Sequence, residues 1–288
     1  MRILCTGSAG FLGQHVSRAL QERGHDVIGI DLEASPNITS IMADITKPLP
    51  AIDPIDAVIH LAAIASPNIC NDDPDLAFNV NVHGTLQVLR FALASGASKF
   101  VFSSSAHVYD IPPKYLPTDE VHPLRLNNTY TTTKLLGEQL CQLFYENYGL
   151  SYTTLRLFNA YGPGQMPGYF IPDMIEKAQT GSIELKGHAT TKDWVYVDDV
   201  ARAFCLAVKT PFVGSINIGT GVDFDLGYLA KMIAKKFGAE FTRVGDGSGS
   251  RMRADYSRAY KVLGWHPNVK FEDGLVVTIN ATQVRSPA

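Results

Sequence analysis

The sequence predicts an α/β protein built on a doubly wound parallel sheet, with a smaller mixed α/β lobe formed mainly by its C-terminal part. Two observations carry this. Short apolar runs alternate with stretches of helical spacing through the first half, and each of those stretches closes at a glycine. Strands separated by helices pair in parallel through βαβ crossovers. Arg2–Thr6 is the first strand, and Leu12–Arg23 is a helix with apolar residues at Leu12, Val16, Ala19 and Leu20, stopped by Gly24. Val27–Asp31 and Ala57–Leu61 are strands, Asp75–Ser95 a helix ending near Gly96, and Phe100–Ser103 a strand. Tyr130–Tyr148 is a long helix stopped by Gly149, and Tyr152–Leu157 a further strand. Beyond it the chain is less regular. Gly162–Gly168 is a loop, Pro172–Thr180, Asp198–Lys209, Leu226–Gly238 and Tyr256–Leu263 are helical, and Gly245–Gly249 is a flexible Gly/Ser loop. The reading assigns 1–160 with parts of 190–225 to the sheet domain, and about 161–190 with 226–288 to the lobe.

Composition narrows the function. The 288 residues are 45% hydrophobic and 18% charged, which is globular and large enough for a sizeable core. Lysine and arginine number 25 against 28 acids, a net charge of −3, which argues against nucleic-acid or membrane-surface binding. Cys5, Cys70, Cys141 and Cys205 form no C-x-x-C pair, and no histidine pairing at metal-ligand spacing stands out, so no metal is expected. No window approaches the ~18 apolar residues of a membrane span, and no signal-peptide core precedes the first glycines. A soluble, cytoplasmic protein with free thiols is the expectation.

Thr6-Gly7-Ser8-Ala9-Gly10-Phe11-Leu12-Gly13 sits between the first strand and the first helix. Glycines at that spacing allow a tight turn and a close backbone approach to a pyrophosphate at the helix N-terminus. Asp31, at the end of the second strand, can accept from both adenosine ribose hydroxyls and repels a 2′-phosphate, so NAD is favoured over NADP. Together these are a Rossmann-type dinucleotide site. Tyr130-Thr-Thr-Thr-Lys134 puts a phenol and an ammonium on one helix face. The ammonium, with an oxidised nicotinamide, is expected to lower the tyrosine pKa from about 10 and make it a usable base. Ser103-Ser104-Ser105 ends a predicted strand at the crevice, where a serine can hold the reacting oxygen.

With these residues in this order, the sequence resembles the extended short-chain dehydrogenase/reductase superfamily, in its NAD-dependent epimerase/dehydratase branch, and is similar to UDP-glucose 4-epimerases. TGSAGFLG (6–13), HLAA (60–63), NVHGT (81–85), SSSAHVY (103–109), YTTTK (130–134), LRLFNAYGP (155–163), KDWVYVDDVA (192–201), INIGTG (216–221) and LGW (263–265) carry the resemblance across almost the whole chain. It implies Tyr130 as the catalytic base and acid, Lys134 as the group that binds the nicotinamide ribose, and Ser105 as the substrate-activating hydroxyl. It implies cofactor contacts from Gly7, Gly10, Phe11, Leu12, Gly13, Asp31, Leu32, Asp44, Ile45, Leu61, Ala62, Ala63, Asn81, Ser103 and Phe158. Substrate contacts fall to Ser105, Asn159, Tyr169, Phe170, Lys192 and one of Arg251 or Arg253, with a UDP-sugar favoured. A homodimer through the helices at Asp75–Ser95 and Tyr130–Tyr148 is also implied.

Departures from the branch refine the expectation. Lys192-Asp193 stands where the branch has Arg-Asp, which keeps the charge but loses the bidentate fork. Ser105-Ala106-His107 lacks the Asp-Glu pair of the sugar 4,6-dehydratases, so dehydration is disfavoured; His107 is a candidate extra acid or base, with an incidental loop histidine the favoured reading. The stretch from Gly162 to Lys192 is compact for a nucleotide-sugar enzyme. The expected reaction is 4-epimerisation by transient oxidation to a keto sugar and re-reduction. The alternatives are a nucleotide-sugar dehydrogenase or 4-ketosugar reductase and, more remotely, a non-catalytic NAD-binding sensor.

Overall fold

The computed structural model describes residues 1–52, 54–187, 189–245 and 248–283. Apolar strands β1 (Arg2–Thr6), β2 (Asp26–Asp31), β4 (Ala57–His60), β5 (Lys99–Ser105) and β6 (Ser151–Leu157) form the predicted parallel sheet. β3 (Thr39–Met42) and β10 (Gly214–Ile218) complete it at the two edges. The 7-stranded order is β3-β2-β1-β4-β5-β6-β10, every neighbour parallel. Chain direction across the sheet reverses between β1 and β4, so a crevice opens beyond their C-terminal ends.

Helices α1 (Phe11–Gln21), α7 (Val197–Ala207) and α9 (Ser257–Leu263) cover one face around Val16, Leu20, Val200, Phe204 and Trp265. Helices α4 (Thr85–Ala94) and α5 (Thr129–Tyr148) cover the other around Val88, Leu89, Phe91, Phe102 and Phe144. Two-sided burial is why these strands read as continuous apolar runs. α5 ends at Gly149, whose φ of 73° satisfies the left-handed cap.

The predicted helix Asp75–Ser95 is helical without a break from α3 (Pro74–Phe78) through a π-helical turn, Asn79–Gly84, into α4, and a separate short helix α2 (Pro67–Asp72) precedes it. The widened turn directs Asn81 inward, and such turns recur at functional sites.

The third core belongs to the lobe. Helices α6 (Phe170–Gln179), α8 (Leu226–Phe237) and α10 (Phe271–Gln283) pack around Ile171, Ile175, Trp194, Leu229 and Ile233. Strand β9 (Ala189–Tyr196) is flanked by β7 (Asn159–Tyr161), β11 (Asp223–Asp225) and β13 (Ser248–Met252), and β8 (Ser182–Lys186) pairs with β12 (Glu240–Val244). Part of the expected Gly/Ser loop is therefore strand: Ser248 pairs with Ala189 as β13 begins. The pairing comes from β9, a long-range partner that no local pattern announces. Asp246 and Gly247 lie outside the described residues.

Candidate active site

The glycine turn is built by close approach. Gly7 has φ 70°, and a Cβ there would lie 2.6 Å from the Ala62 nitrogen. A Cβ on Gly13 would collide with the Gly7 carbonyl. Gly10 is the N-cap of α1 and brings no side chain to cap it, so the first-turn N–H groups are left to an anion. This cradle fits a pyrophosphate. Asp31 is fixed beside it, with Oδ2 accepting from Ala9 N–H at 2.9 Å and Oδ1 from Leu32 N–H at 2.7 Å. Each oxygen keeps a lone pair for a ribose hydroxyl. Ala43 N–H donates to the Asp31 carbonyl, which brings exposed Asp44 next to it, while Ile45 is buried under α4. Phe11 and Leu12 turn their side chains into the lobe core, and Leu32 is exposed.

A chain of hydrogen bonds sets the floor of the crevice. Thr6 Oγ1 and His60 Nδ1 are 2.6 Å apart, His60 Nε2 lies 3.0 Å from Thr85 Oγ1, and Thr85 donates to the Asn81 carbonyl at 2.6 Å. With Thr85 donating onward, His60 donates through Nε2 and accepts at Nδ1. Burial, with a smaller push from Lys134, lowers the imidazole to about 3, so it stays neutral. Leu61, Ala62 and Ala63 follow on the half-buried loop beyond it.

The start of α5 is fixed by its own residues. Asn128 Oδ1 accepts from Thr131 N–H at 2.9 Å, and Asn128 N–H donates to Thr131 Oγ1 at 3.1 Å, a reciprocal cap. Asn127 Nδ2 donates to the carbonyls of His107 (3.3 Å) and Tyr109 (3.0 Å), tying the helix start to the end of β5. Asn81 braces the same helix: its Nδ2 donates to Thr133 Oγ1 and to the Ile64 carbonyl, both at 3.0 Å, and its Oδ1 accepts from Ile64 N–H at 2.8 Å. Its amide is thus engaged within the protein.

Tyr130, Ser105 and Lys134 come together at this junction. Ser105 lies near enough to the Tyr130 phenol to favour its ionised form, and its Oγ accepts from His107 N–H at 3.2 Å. Lys134 Nζ donates to the Ser103 carbonyl at 2.9 Å and lies 5.9 Å from the Tyr130 ring centroid. The expected lowering of the tyrosine is not what the protein alone produces. Burial pushes the phenol up to about 12 and the Lys134 ammonium down to about 8. Both charged forms lose solvation here, and that loss is the largest influence on each. Tyr169 stands at the N-cap of α6, close enough to push the phenol up slightly further.

Asp193 organises the lobe side. Fully buried, it accepts from Thr220 N–H and Oγ1 at 2.7 Å, Gly221 N–H at 2.8 Å and Ala254 N–H at 3.0 Å. Those donors oppose the upward push of burial on its carboxyl. It thereby fixes Lys192 before it and Arg253 behind Ala254. Asn159 Nδ2 donates to the Asp193 carbonyl at 2.9 Å. Lys192 has no acidic partner among the described residues, and burial lowers its pKa. Arg251 is bound bidentately by Asp223, at 3.0 and 3.2 Å. Arg253 makes no ion pair among the described residues. Phe158 is buried with Ala106 and Tyr109, and the Phe170 ring packs 5.8 Å from Trp194.

A dinucleotide cradle and a Tyr-Lys-Ser group now face one crevice. The model of the NAD dependent epimerase/dehydratase family matches residues 3–219. The chain belongs to that family. A UDP-glucose 4-epimerase of Mycolicibacterium smegmatis is 33% identical, over 97% of this chain and 97% of its own length. The crystal structure of a UDP-glucose 4-epimerase with UDP-glucose, from Thermotoga maritima, superposes with a TM-score of 0.89 at 30% identity and covers 99% of both chains. The UDP-glucose 4-epimerase of Thermus thermophilus in complex with NAD superposes at 0.87 with 27% identity, over 99% of this chain and 100% of its own.

Within this epimerase/dehydratase chain, sequence reasoning missed three site-building residues. His60 and Asp193 stood inside the quoted motifs, but neither motif says where the side chain points. His107 sits beside them: burial and the Lys192 charge hold its imidazole down to about 4, with Asn159 acting in the opposite direction.

Proposed function

We propose that this chain is an NAD-dependent nucleotide-sugar 4-epimerase acting on a UDP-sugar. The observation that carries the reading is the gathering of Ser105, Tyr130 and Lys134 where β5 ends and α5 starts, with Lys134 Nζ on the Ser103 carbonyl, in the same parallel sheet whose β1 leads into the glycine cradle. Gly7, Gly10, Gly13 and Asp31 would hold the dinucleotide, and the acid at Asp31 favours NAD over NADP. NAD held there would supply a hydride acceptor and donor for the sugar carbon. Tyr130 takes the proton of the C4 hydroxyl and gives one back to the ketone oxygen. Ser105 holds that oxygen, and Lys134 adds positive charge beside the phenol. Asn159, Lys192 and Arg253 grip the diphosphate; the Arg251–Asp223 pair supports Arg253 as the free arginine. Tyr169 and Phe170 close the nucleotide end.

The division into a cofactor domain and a substrate lobe is part of this reading, as is a homodimer. A shallow apolar groove of about 380 Å³ runs along Phe78, Val82, Leu86 and Leu140, and a second copy of the chain is its proposed occupant. Leu89 and Phe144, apolar residues of the same two predicted helices, are buried in the chain's own core. No helix among the described residues is long and apolar enough to cross a membrane, and the four cysteines are free and buried. The cytoplasm is the compartment we assign.

Proton NMR of UDP-sugars with the protein and trace NAD⁺ tests the reading. A new anomeric signal at constant total sugar supports it. Conversion only with stoichiometric cofactor moves the assignment to a dehydrogenase or reductase.

A further inference from the structure

A buried tyrosine outside the reaction as described joins its two ends. Tyr109 closes the single turn Ala106–Val108 that follows Ser105, with its N–H on the Ala106 carbonyl at 3.2 Å. Its own carbonyl accepts from Asn127 Nδ2 at 3.0 Å, just before α5. Its hydroxyl donates to Asn217 Oδ1 at 2.6 Å and accepts from Arg156 Nη1 at 3.1 Å. Arg156 in turn donates to both oxygens of Glu138, from Nε at 2.9 Å and from Nη2 at 2.6 Å. Glu138 stands one turn beyond Lys134, on the α5 face that carries Tyr130 and Lys134. The other direction leads to the lobe. Asn217 Nδ2 donates to the Thr118 carbonyl at 3.0 Å. Thr118 N–H donates to the Arg253 carbonyl at 2.7 Å, and the Thr118 carbonyl accepts from Asp255 N–H at 2.8 Å. Ala254, between them, donates to Asp193, the neighbour of Lys192. Tyr109, Asn217, Thr118 and Arg156 are all buried, so water does not compete for these bonds. Glu120 forms a parallel route: its carbonyl accepts from Arg156 at 3.4 Å and its carboxylate from Asn217 N–H at 2.8 Å. Loss of the Tyr109 hydroxyl would therefore loosen the connection without cutting it.

This rests on the epimerase reading above, in which Lys192 and Arg253 grip the diphosphate while Tyr130 and Ser105 meet the sugar. We propose that Tyr109 is a positioning residue. Its hydroxyl sets the spacing between the Arg253 segment and the Ser105 turn with the start of α5, and a ligand held at Arg253 steadies the start of α5 through it. A gripped diphosphate is a fixed anchor, so the place where the sugar carbon arrives is decided by that spacing. A misplacement of ~1 Å at a reacting centre can lower the rate about 10²-fold.

The test compares wild type, Tyr109→Phe and Asn217→Ala, all with NAD⁺ present. The phenylalanine keeps the ring packed on Ala106 and Phe158 and removes only the oxygen. Asn217→Ala breaks the same link from the lobe side while its backbone N–H stays on Glu120, so either variant serves if the other does not fold. Amide hydrogen exchange is measured with and without saturating UDP. In wild type, UDP should slow exchange at the Asn127, Thr131 and Thr132 N–H groups, all bonded within the α5 cap, about fivefold. In both variants that protection should be lost, while the calorimetric Kd of UDP changes less than about twofold. Amides of β2 report stabilisation of the whole fold and should respond alike in all three proteins. On UDP-glucose, kcat should fall about tenfold in each variant. A merely structural tyrosine would lower stability without changing what UDP does to α5, so equal protection in all three proteins overturns the proposal. So does the absence of protection in wild type, or an unchanged kcat in both variants. Protection lost in the variants, with no UDP-sugar epimerised by wild type, upholds the link through Tyr109 and overturns the epimerase reading. Epimerisation with equal protection does the reverse. Failure of UDP to bind overturns both.

Discussion

The hydrogen-bond chain through His60 joins β1, β4 and the start of α4, and it responds to acid in a way that can be worked out. His60 is held near 3 in the folded chain, against 6.5 for an ordinary histidine. Between those values the unfolded chain binds a proton that folded His60 does not. Its contribution to stability is therefore fully present above 6.5 and declines as pH falls toward 3. The slope approaches about 1.4 kcal/mol per pH unit, and integration from about pH 7 to about pH 5 gives a loss of about 2 kcal/mol. Urea unfolding of wild type and His60→Gln at the two pH values measures it. The glutamine variant starts from lower stability but should lose about 2 kcal/mol less on acidification, at unchanged m. His107, also lowered, keeps some pH dependence in both proteins. Equal acid sensitivity of wild type and variant would refute the buried, neutral His60.

Other outcomes follow from the same geometry. Tyr130→Phe should lower turnover by about 10²–10⁴-fold, the range of general acid–base catalysis, while NAD binding by fluorescence titration is kept. Gly7→Ala demands a left-handed alanine with its Cβ against the Ala62 backbone, and should weaken NAD binding at least about tenfold in the same titration. Asp193→Asn sets an amide N–H₂ against donors from Thr220, Gly221 and Ala254, and should cost about 3 kcal/mol in urea unfolding. Leu140→Glu should shift the sedimentation coefficient to that of a single chain; an unchanged coefficient would place the dimer contact elsewhere.

The parts of the fold that follow local rules were legible in the sequence. Buried strands read as apolar runs, Gly149 marked the end of α5, and the glycine turn declared itself because only glycine tolerates Gly7's φ and Gly13's contact. The i,i+4 spacing alone put Tyr130 and Lys134 on one face. Edge strand β3, half exposed, and the lobe strands around β9 had no such signal, since their pairing comes from distant residues. Family motifs supplied the roles proposed for Ser105 and Asn159 but not their surroundings.

What the sequence by itself determined was the parallel sheet, the glycine turn and the placing of Tyr130 and Lys134 on one helix face, because backbone sterics and hydrophobic period act over a few residues. Only the tertiary structure decided that Asn81 braces α5, that Asp223 takes Arg251 and leaves Arg253, that burial holds His107 low, and that Tyr130 is pushed up rather than down. Each depends on desolvation and on donors brought from far along the chain. Those quantities exist only once the chain has closed around them.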